Sequence, residues 1–191
     1  MTPLVLLDVD GVLNAVDADP DPQVWPDWQR GRAAAGGRQW PIAWSPTVVR
    51  AVQSWREVAD VQWLTTWGSF ANGALRELLG LPELPVAGAP GDPDAGSTSD
   101  GASGSLASVT AAAPDELTGR WWKFDVVREL VRAQPDRPLV WLDDDLAGQR
   151  DIRTWMSEQA PCLLVSPTPR TGLRPDDLEL VTRFLAEQQP G

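Results

Sequence analysis

Apolar residues along this chain gather into five short runs, separated by stretches in which apolar positions recur every three or four residues. Leu4-Val5-Leu6-Leu7, Val61-Gln62-Trp63-Leu64, Leu84-Pro85-Val86-Ala87-Gly88, Pro138-Leu139-Val140-Trp141-Leu142 and Cys162-Leu163-Leu164-Val165 have the length of buried strands, with Pro85 and Pro138 at the start of theirs. Between them the spacing predicts helices. One opens at Ser45-Pro46 and buries Val48, Val49, Val52, Trp55 and Ala59. A second runs from Ser69 through Ala71, Ala74, Leu75, Leu78 and Leu79 to a stop at Gly80. A third begins at Trp121-Trp122-Lys123 and carries Phe124, Val127, Leu130 and Val131 inward. A fourth buries Ile152, Trp155 and Met156, and a fifth opens at Pro175 with Asp176-Asp177 in its first turn and Leu178, Val181, Phe184 and Leu185 on its inner face.

Strand and helix alternate throughout, so the expected fold class is α/β. A mostly parallel sheet has helices on both faces in a three-layer, Rossmann-like arrangement, and ligands bind beyond the carboxyl ends of its strands. The whole chain, 1–191, reads as a single domain with two excursions. Residues 15–43, rich in Pro, Asp, Gly and Trp without a sustained period, read as a small cap or lid insertion. Trp25, Trp28, Trp40 and Trp44 either wall a pocket there or anchor the excursion to the body. Residues 90–114 are Gly, Ser, Ala, Asp and Thr with little to bury, and read as a flexible low-complexity loop.

The first strand runs straight into Asp8-Val9-Asp10-Gly11. A buried strand that ends on two carboxylates needs a cation, a set of hydrogen-bond donors or a reaction to justify them. A solvated edge strand is the plain alternative. A calcium loop does not fit, because Val12 and Leu13 stand where further oxygen ligands belong. The strand after Pro138 also ends on acids, Asp143-Asp144-Asp145, and the second strand ends on Thr65-Thr66-Trp67.

Composition narrows the chemistry. The net charge of −11 argues against a broad phosphate-backbone surface, though not against local basic patches. There is no histidine, so acid–base work falls to carboxylates, lysine or water, and typical zinc sites are excluded. Among 16 basic residues a single lysine, Lys123, stands where arginine is the usual choice, which suggests that a compact ammonium is wanted there. The single Cys162 reads as a structural thiol compatible with a reducing compartment. With neither a signal segment nor a spanning helix in the pattern, the expectation is a soluble cytoplasmic protein that does not engage a membrane. Carboxylates gathered around one point need a hard, oxygen-loving cation, for which Mg2+ is suited, and such a pocket with a lysine suits a dianionic phosphate.

In order along the chain, Asp8-Val9-Asp10-Gly11-Val12-Leu13-Asn14, the threonine after the second strand, Lys123 and Asp143-Asp144 resemble the four motifs of the haloacid dehalogenase-like (HAD) superfamily. With Asn14, Thr65-Thr66-Trp67 and Gly172-Leu173 the pattern is similar to the HAD domain found in RNA-repair proteins. The resemblance spans Leu4 to about Leu185 apart from the low-complexity loop, and implies a HAD fold with a minimal cap.

It also implies a two-step phosphoryl transfer. Asp8 would attack phosphorus; Asp10 would protonate the leaving oxygen and then activate water. Thr65 would bind a phosphate oxygen, and Lys123 would steady Asp8 and the phosphoryl group. Asp8, the Asp10 carbonyl and Asp143 would bind Mg2+, with Asp144 in support. Thr65, Thr66, Lys123 and Asn14 are the substrate-binding candidates. Whether Thr65 or Thr66 contacts phosphate, and how Asp143, Asp144 and Asp145 divide the metal, stay open at this level. Asp10 favours a phosphatase over dehalogenase relatives, which lack this acid, and over pump ATPases, which carry threonine. The implied activity is a phosphomonoester hydrolase acting on a small phosphorylated substrate, a nucleotide or a nucleic-acid end. The alternative is a catalytically weak Mg2+-binding regulatory or partner-binding module.

Overall fold

The computed structural model describes residues 1–16, 20–88 and 121–189. The low-complexity stretch 90–114 lies outside the described residues. Five parallel strands form the main sheet: β1 (Leu4–Leu7), β4 (Asp60–Leu64), β5 (Val86–Gly88), β6 (Leu139–Leu142) and β7 (Cys162–Val165), in the order β5-β4-β1-β6-β7. The register pairs Leu7 with Trp63 on one side and with Leu142 on the other. Strand β1 is therefore central, and its end is flanked by the ends of β4 and β6.

Alternation along β1 builds the layers. Val5 and Leu7 join a core with Val48, Val52 and Trp55 of α1 (Pro46–Trp55), Leu75 and Leu79 of α2 (Ala74–Leu79), and Leu178, Val181 and Leu185 of α5 (Pro175–Glu187). Leu4 and Leu6 join the opposite core with Phe124, Val127 and Val131 of α3 (Trp122–Ala133) and Ile152, Trp155 and Met156 of α4 (Arg150–Gln159). A period of two continues past the strand end, so Asp8 shares the parity of Leu4 and Leu6 and turns toward the α3 side. Among the described residues, no helix is long and apolar enough to cross a membrane.

The helix at Ser45-Pro46 forms as expected. The Ser45 hydroxyl accepts from the amides of Thr47 and Val48, at 3.1 and 3.4 Å, and donates to Asp27, at 2.7 Å. Asp27 also accepts from the amide and hydroxyl of Thr47, at 3.0 and 2.7 Å, so this acid joins the excursion to the start of α1. Two expectations change. The helix expected from Ser69 breaks at Gly73 into a 3-10 turn, Gly68–Asn72, and the short α2. Residues 15–43 are not aperiodic throughout: β2 (Gln29–Ala35) and β3 (Arg38–Trp44) form an antiparallel hairpin around Gly36-Gly37. Its alternation is hidden in the sequence because small Gly31 and Ala33 face the body where large apolar residues would mark a strand; Gly31 lies against Leu78. Trp25 and Trp44 are buried in the core and Trp40 is exposed, so these tryptophans do not share one pocket wall. Trp25 works as an anchor, its indole N–H donating to the Leu173 carbonyl at 2.7 Å.

Candidate active site

At the central strand end, Asp8 is 5% exposed and its amide continues the ladder by donating to Leu142 O at 3.1 Å. One carboxylate oxygen accepts from the Val9 amide at 2.7 Å, and the other accepts from Lys123 Nζ at 2.6 Å. The buried Thr65 hydroxyl lies beside Asp8 and favours its ionised form. Lys123, 2% exposed, reaches the site from the first turn of α3 and donates its second bond to Asp143 at 2.7 Å. A cation in a helix's first turn works against the helix dipole, so the two carboxylates, not the helix, account for its position. The Trp121 ring, stacked on Trp141 with centroids 5.0 Å apart, lies 5.8 Å from the same ammonium.

Asp143 occupies the matching position one residue past β6. It caps the 3-10 turn Asp144–Gly148, accepting from the Asp145 amide at 3.1 Å. Carboxylate oxygens of Asp8, Asp143 and Asp144 lie within 4.8 Å of one another. Gly11 makes room for the third acid. Its φ is +73°, and a Cβ there would fall 2.3 Å from the Asp144 Cγ. Gly11→Ala is thus expected to displace Asp144 and weaken divalent-cation binding by about tenfold or more, read by calorimetric titration. The turn is secured from behind by the Ser166 hydroxyl, which donates to the Asp144 carbonyl at 2.8 Å.

One ammonium does not neutralise three clustered acids. Burial, and then the neighbouring Asp8 charge, push the Asp143 carboxyl up to about 7 despite Lys123; burial and Asp145 push Asp144 up to about 6. Burial likewise raises Asp8, against the pull of Lys123, Thr65 and the Val9 amide. Burial disfavours the Lys123 charge, but the two carboxylates outweigh it and hold the ammonium above its ordinary range. The site fits a hard cation: three carboxylates converge with too little positive charge among them, and every donor atom is oxygen.

Because native Asp143 and Asp144 keep protons that the unfolded chain has released, stability without metal falls as pH rises from about 4 through about 7. The melting temperature of the metal-free chain is expected to drop by a few degrees between about pH 5 and about pH 8, and added divalent cation to restore it at the upper end. A flat profile would contradict this charge balance.

The structure thus brings Asp8, Thr65, Lys123, Asp143 and Asp144 to one strand-end site. Thr65 is buried against Asp8 and Thr66 is exposed; Asp144 faces the cluster and Asp145 faces solvent. Asp10 lies beside this group, its carboxylate outside the three-acid cluster. One of its oxygens accepts from Asn14 at 2.7 Å and the other from the Trp67 indole N–H at 2.9 Å. Asn14 is engaged at both ends, since its carbonyl accepts from the Ala43 amide of the hairpin at 2.8 Å.

Residues 4–178 match the sequence model of a family described as the HAD domain in Swiss Army Knife RNA repair proteins. The chain belongs to this family. No curated protein and no solved structure gives a match. Membership gives the convergent acids a common frame: this HAD domain has a parallel Rossmann-like core, a candidate catalytic aspartate and an acidic cluster able to hold a metal ion. The late Gly172-Leu173 also finds a place in it. Gly172, at φ +60°, lies so close to the Val12 carbonyl that a Cβ would be 2.4 Å from it, and the Leu173 amide donates to that carbonyl at 2.9 Å. That contact braces the loop carrying Asp8 and Asp10.

Two supporting residues escaped the sequence reading. Trp67 was visible only as part of Thr65-Thr66-Trp67, with nothing local to show that its N–H meets a carboxylate 57 positions away. Gly11 stands in the motif with nothing local to show its close approach to Asp144, which depends on strand order.

Proposed function

We propose that this HAD domain is a Mg2+-dependent phosphomonoesterase working through an aspartyl-phosphate. The observation that carries the reading is Asp8 itself: a buried carboxylate at the central strand end, held by Lys123, with Asp143 and Asp144 close enough to share a cation. Asp8, Asp143 and Asp144 would hold the ion, which when bound supplies positive charge to offset repulsion between carboxylate and phosphate. Asp8 forms a bond to phosphorus as the bond to the ester oxygen breaks, and Asp10 gives that oxygen a proton. Asp10, now ionised, takes a proton from water as it attacks the same phosphorus, releasing inorganic phosphate and restoring Asp8. Lys123 and Thr65 keep the Asp8 carboxylate oriented throughout.

The substrate we favour is a nucleic-acid terminal phosphate. The family description supports it, as does the hairpin. In a chain of net charge −11, Gln29–Trp44 carries Arg30, Arg32 and Arg38 and no acid. Trp40, 43% exposed, lies with the Arg38 guanidinium 5.3 Å from its ring centroid. Arginine beside an exposed aromatic suits a single strand, through phosphate contact and base stacking. The hairpin base adjoins the site, because Ala43 bonds Asn14 and Asn14 bonds Asp10.

The test is phosphate release from phenyl phosphate, mononucleotides and 5′- or 3′-phosphorylated oligoribonucleotides, with Mg2+ and with chelator. Mg2+-dependent turnover is expected, with KM lowest for an oligonucleotide and raised about tenfold or more for that substrate alone by Arg32→Glu with Arg38→Glu. Cation binding without turnover of any ester would instead favour a regulatory module.

A further inference from the structure

We propose that Trp67 is a positioning residue for the proton transfer to the leaving group, an assignment that rests on the phosphatase reading above. Trp67 is 7% exposed and follows β4 by three residues. Its indole N–H donates to one Asp10 oxygen at 2.9 Å, while Asn14 donates to the other at 2.7 Å. A carboxyl group supported by one donor on each oxygen has its plane fixed. It keeps a second lone pair on each oxygen, one of which carries the transferable proton. The donor to the first oxygen comes from the β4 loop and the donor to the second from the β1 loop, so rotation of Asp10 would break a bond to one or the other.

Trp67 also serves the nucleophile's side of the site. Its backbone amide donates to the Thr65 hydroxyl oxygen at 3.3 Å, and that hydroxyl lies beside Asp8 and favours its ionised form. One residue therefore sets both the oxygen that steadies the nucleophile and the carboxyl group that protonates the leaving oxygen. Packing alone does not require this. Trp63, also buried and in the preceding strand, donates its indole N–H to Asn72 at 3.0 Å, away from the acids. Trp63 is the natural control for a buried indole with a purely structural bond.

Two esters of similar shape separate positioning from folding. Phenyl phosphate needs a proton on its departing oxygen; 2,4-dinitrophenyl phosphate has a leaving group stable without one. The quantity to compare is kcat/KM, which covers the steps through departure of the alcohol. Trp67→Phe is expected to lower it for phenyl phosphate by about tenfold or more and for the dinitrophenyl ester by less than about threefold. Trp63→Phe should show no such split. Trp67→His, which keeps a ring N–H, should recover part of the loss, and in an Asp10→Asn background Trp67→Phe should add no further split.

Equal losses on both esters, an unchanged phenyl phosphate rate, or Phe and His variants that lose alike would overturn the assignment. If Trp67→Phe does not fold, Trp67→3-benzothienylalanine, which keeps the bicyclic ring and replaces the N–H by sulfur, carries the same test, a split supporting positioning and its absence refuting it. Wild-type protein that hydrolyses neither ester in Mg2+ would refute the phosphatase reading itself, an outcome distinct from an active enzyme indifferent to Trp67.

Discussion

Asp8→Asn is expected to reduce Mg2+-dependent phosphate release by at least ~10^3-fold while leaving the fold intact, because the amide cannot attack phosphorus but occupies the same volume. The Val9 amide retains an oxygen to donate to, and Lys123 retains Asp143 as its ionic partner. With one carboxylate fewer around the ammonium, Asp143 loses a neighbouring negative charge that raises it. The variant should therefore melt no lower than wild type at neutral pH without metal. A large loss of thermal stability would mean that Asp8 is chiefly a structural ion-pair member. Residual turnover near the wild-type level would remove it as nucleophile.

Lys123→Met should have the opposite balance, damaging fold and activity together. Lys123 is the ammonium between Asp8 and Asp143, at 2.6 and 2.7 Å, and its side chain is 2% exposed. Removing one partner from such a buried arrangement costs about 3–5 kcal/mol, which for a chain of this size lowers the melting temperature by roughly 10 °C. The carboxylates left behind can relieve their repulsion only by taking up protons. Their native pKa values rise further above the unfolded value, so the deficit should shrink toward about pH 4 and widen as pH rises. Divalent cation at neutral pH should recover part of the stability without recovering activity, since the metal neutralises the acids but does not hold Asp8 through a hydrogen bond. A melting temperature within about 2 °C of wild type at every pH would show that Lys123 does not balance these charges.

Much of this organisation is legible in the sequence because it follows local rules. Four apolar residues before Asp8, four before Asp143 and a hydroxyl after Leu64 mark three strand ends, and a parallel sheet puts strand ends on one edge. The only lysine in an arginine-rich chain stands out for the same reason, since nothing about a helix's first turn asks for a cation. What the sequence conceals is set by contacts between distant segments. The hairpin is masked by Gly31 and Ala33: Leu78 and Trp44 leave no room for a side chain at Gly31, and Ala33 is fully buried. The choice between Thr65 and Thr66 depends on where β4 stops: one residue's difference turns a hydroxyl from the interior to solvent. Asp144 and Asp145 are indistinguishable as letters, and only the 3-10 turn capped by Asp143 sends one toward Asp8 and the other outward. Asn14 shows nothing in sequence of its partners, and in the fold its side-chain amide joins Asp10 to the hairpin.

The central claim is covalent transfer to Asp8, and the most direct measurement is to trap the adduct. Asp10→Asn protein mixed with 2,4-dinitrophenyl phosphate and Mg2+ should accumulate a phosphoryl group, since that leaving group departs without the acid while hydrolysis lacks its base. Acid quenching followed by peptide mass spectrometry is predicted to place one phosphoryl group on Asp8, absent in chelator and absent in the Asp8→Asn variant. Release of dinitrophenol with an unmodified Asp8 peptide, or a phosphoryl group on any other residue, would contradict the account.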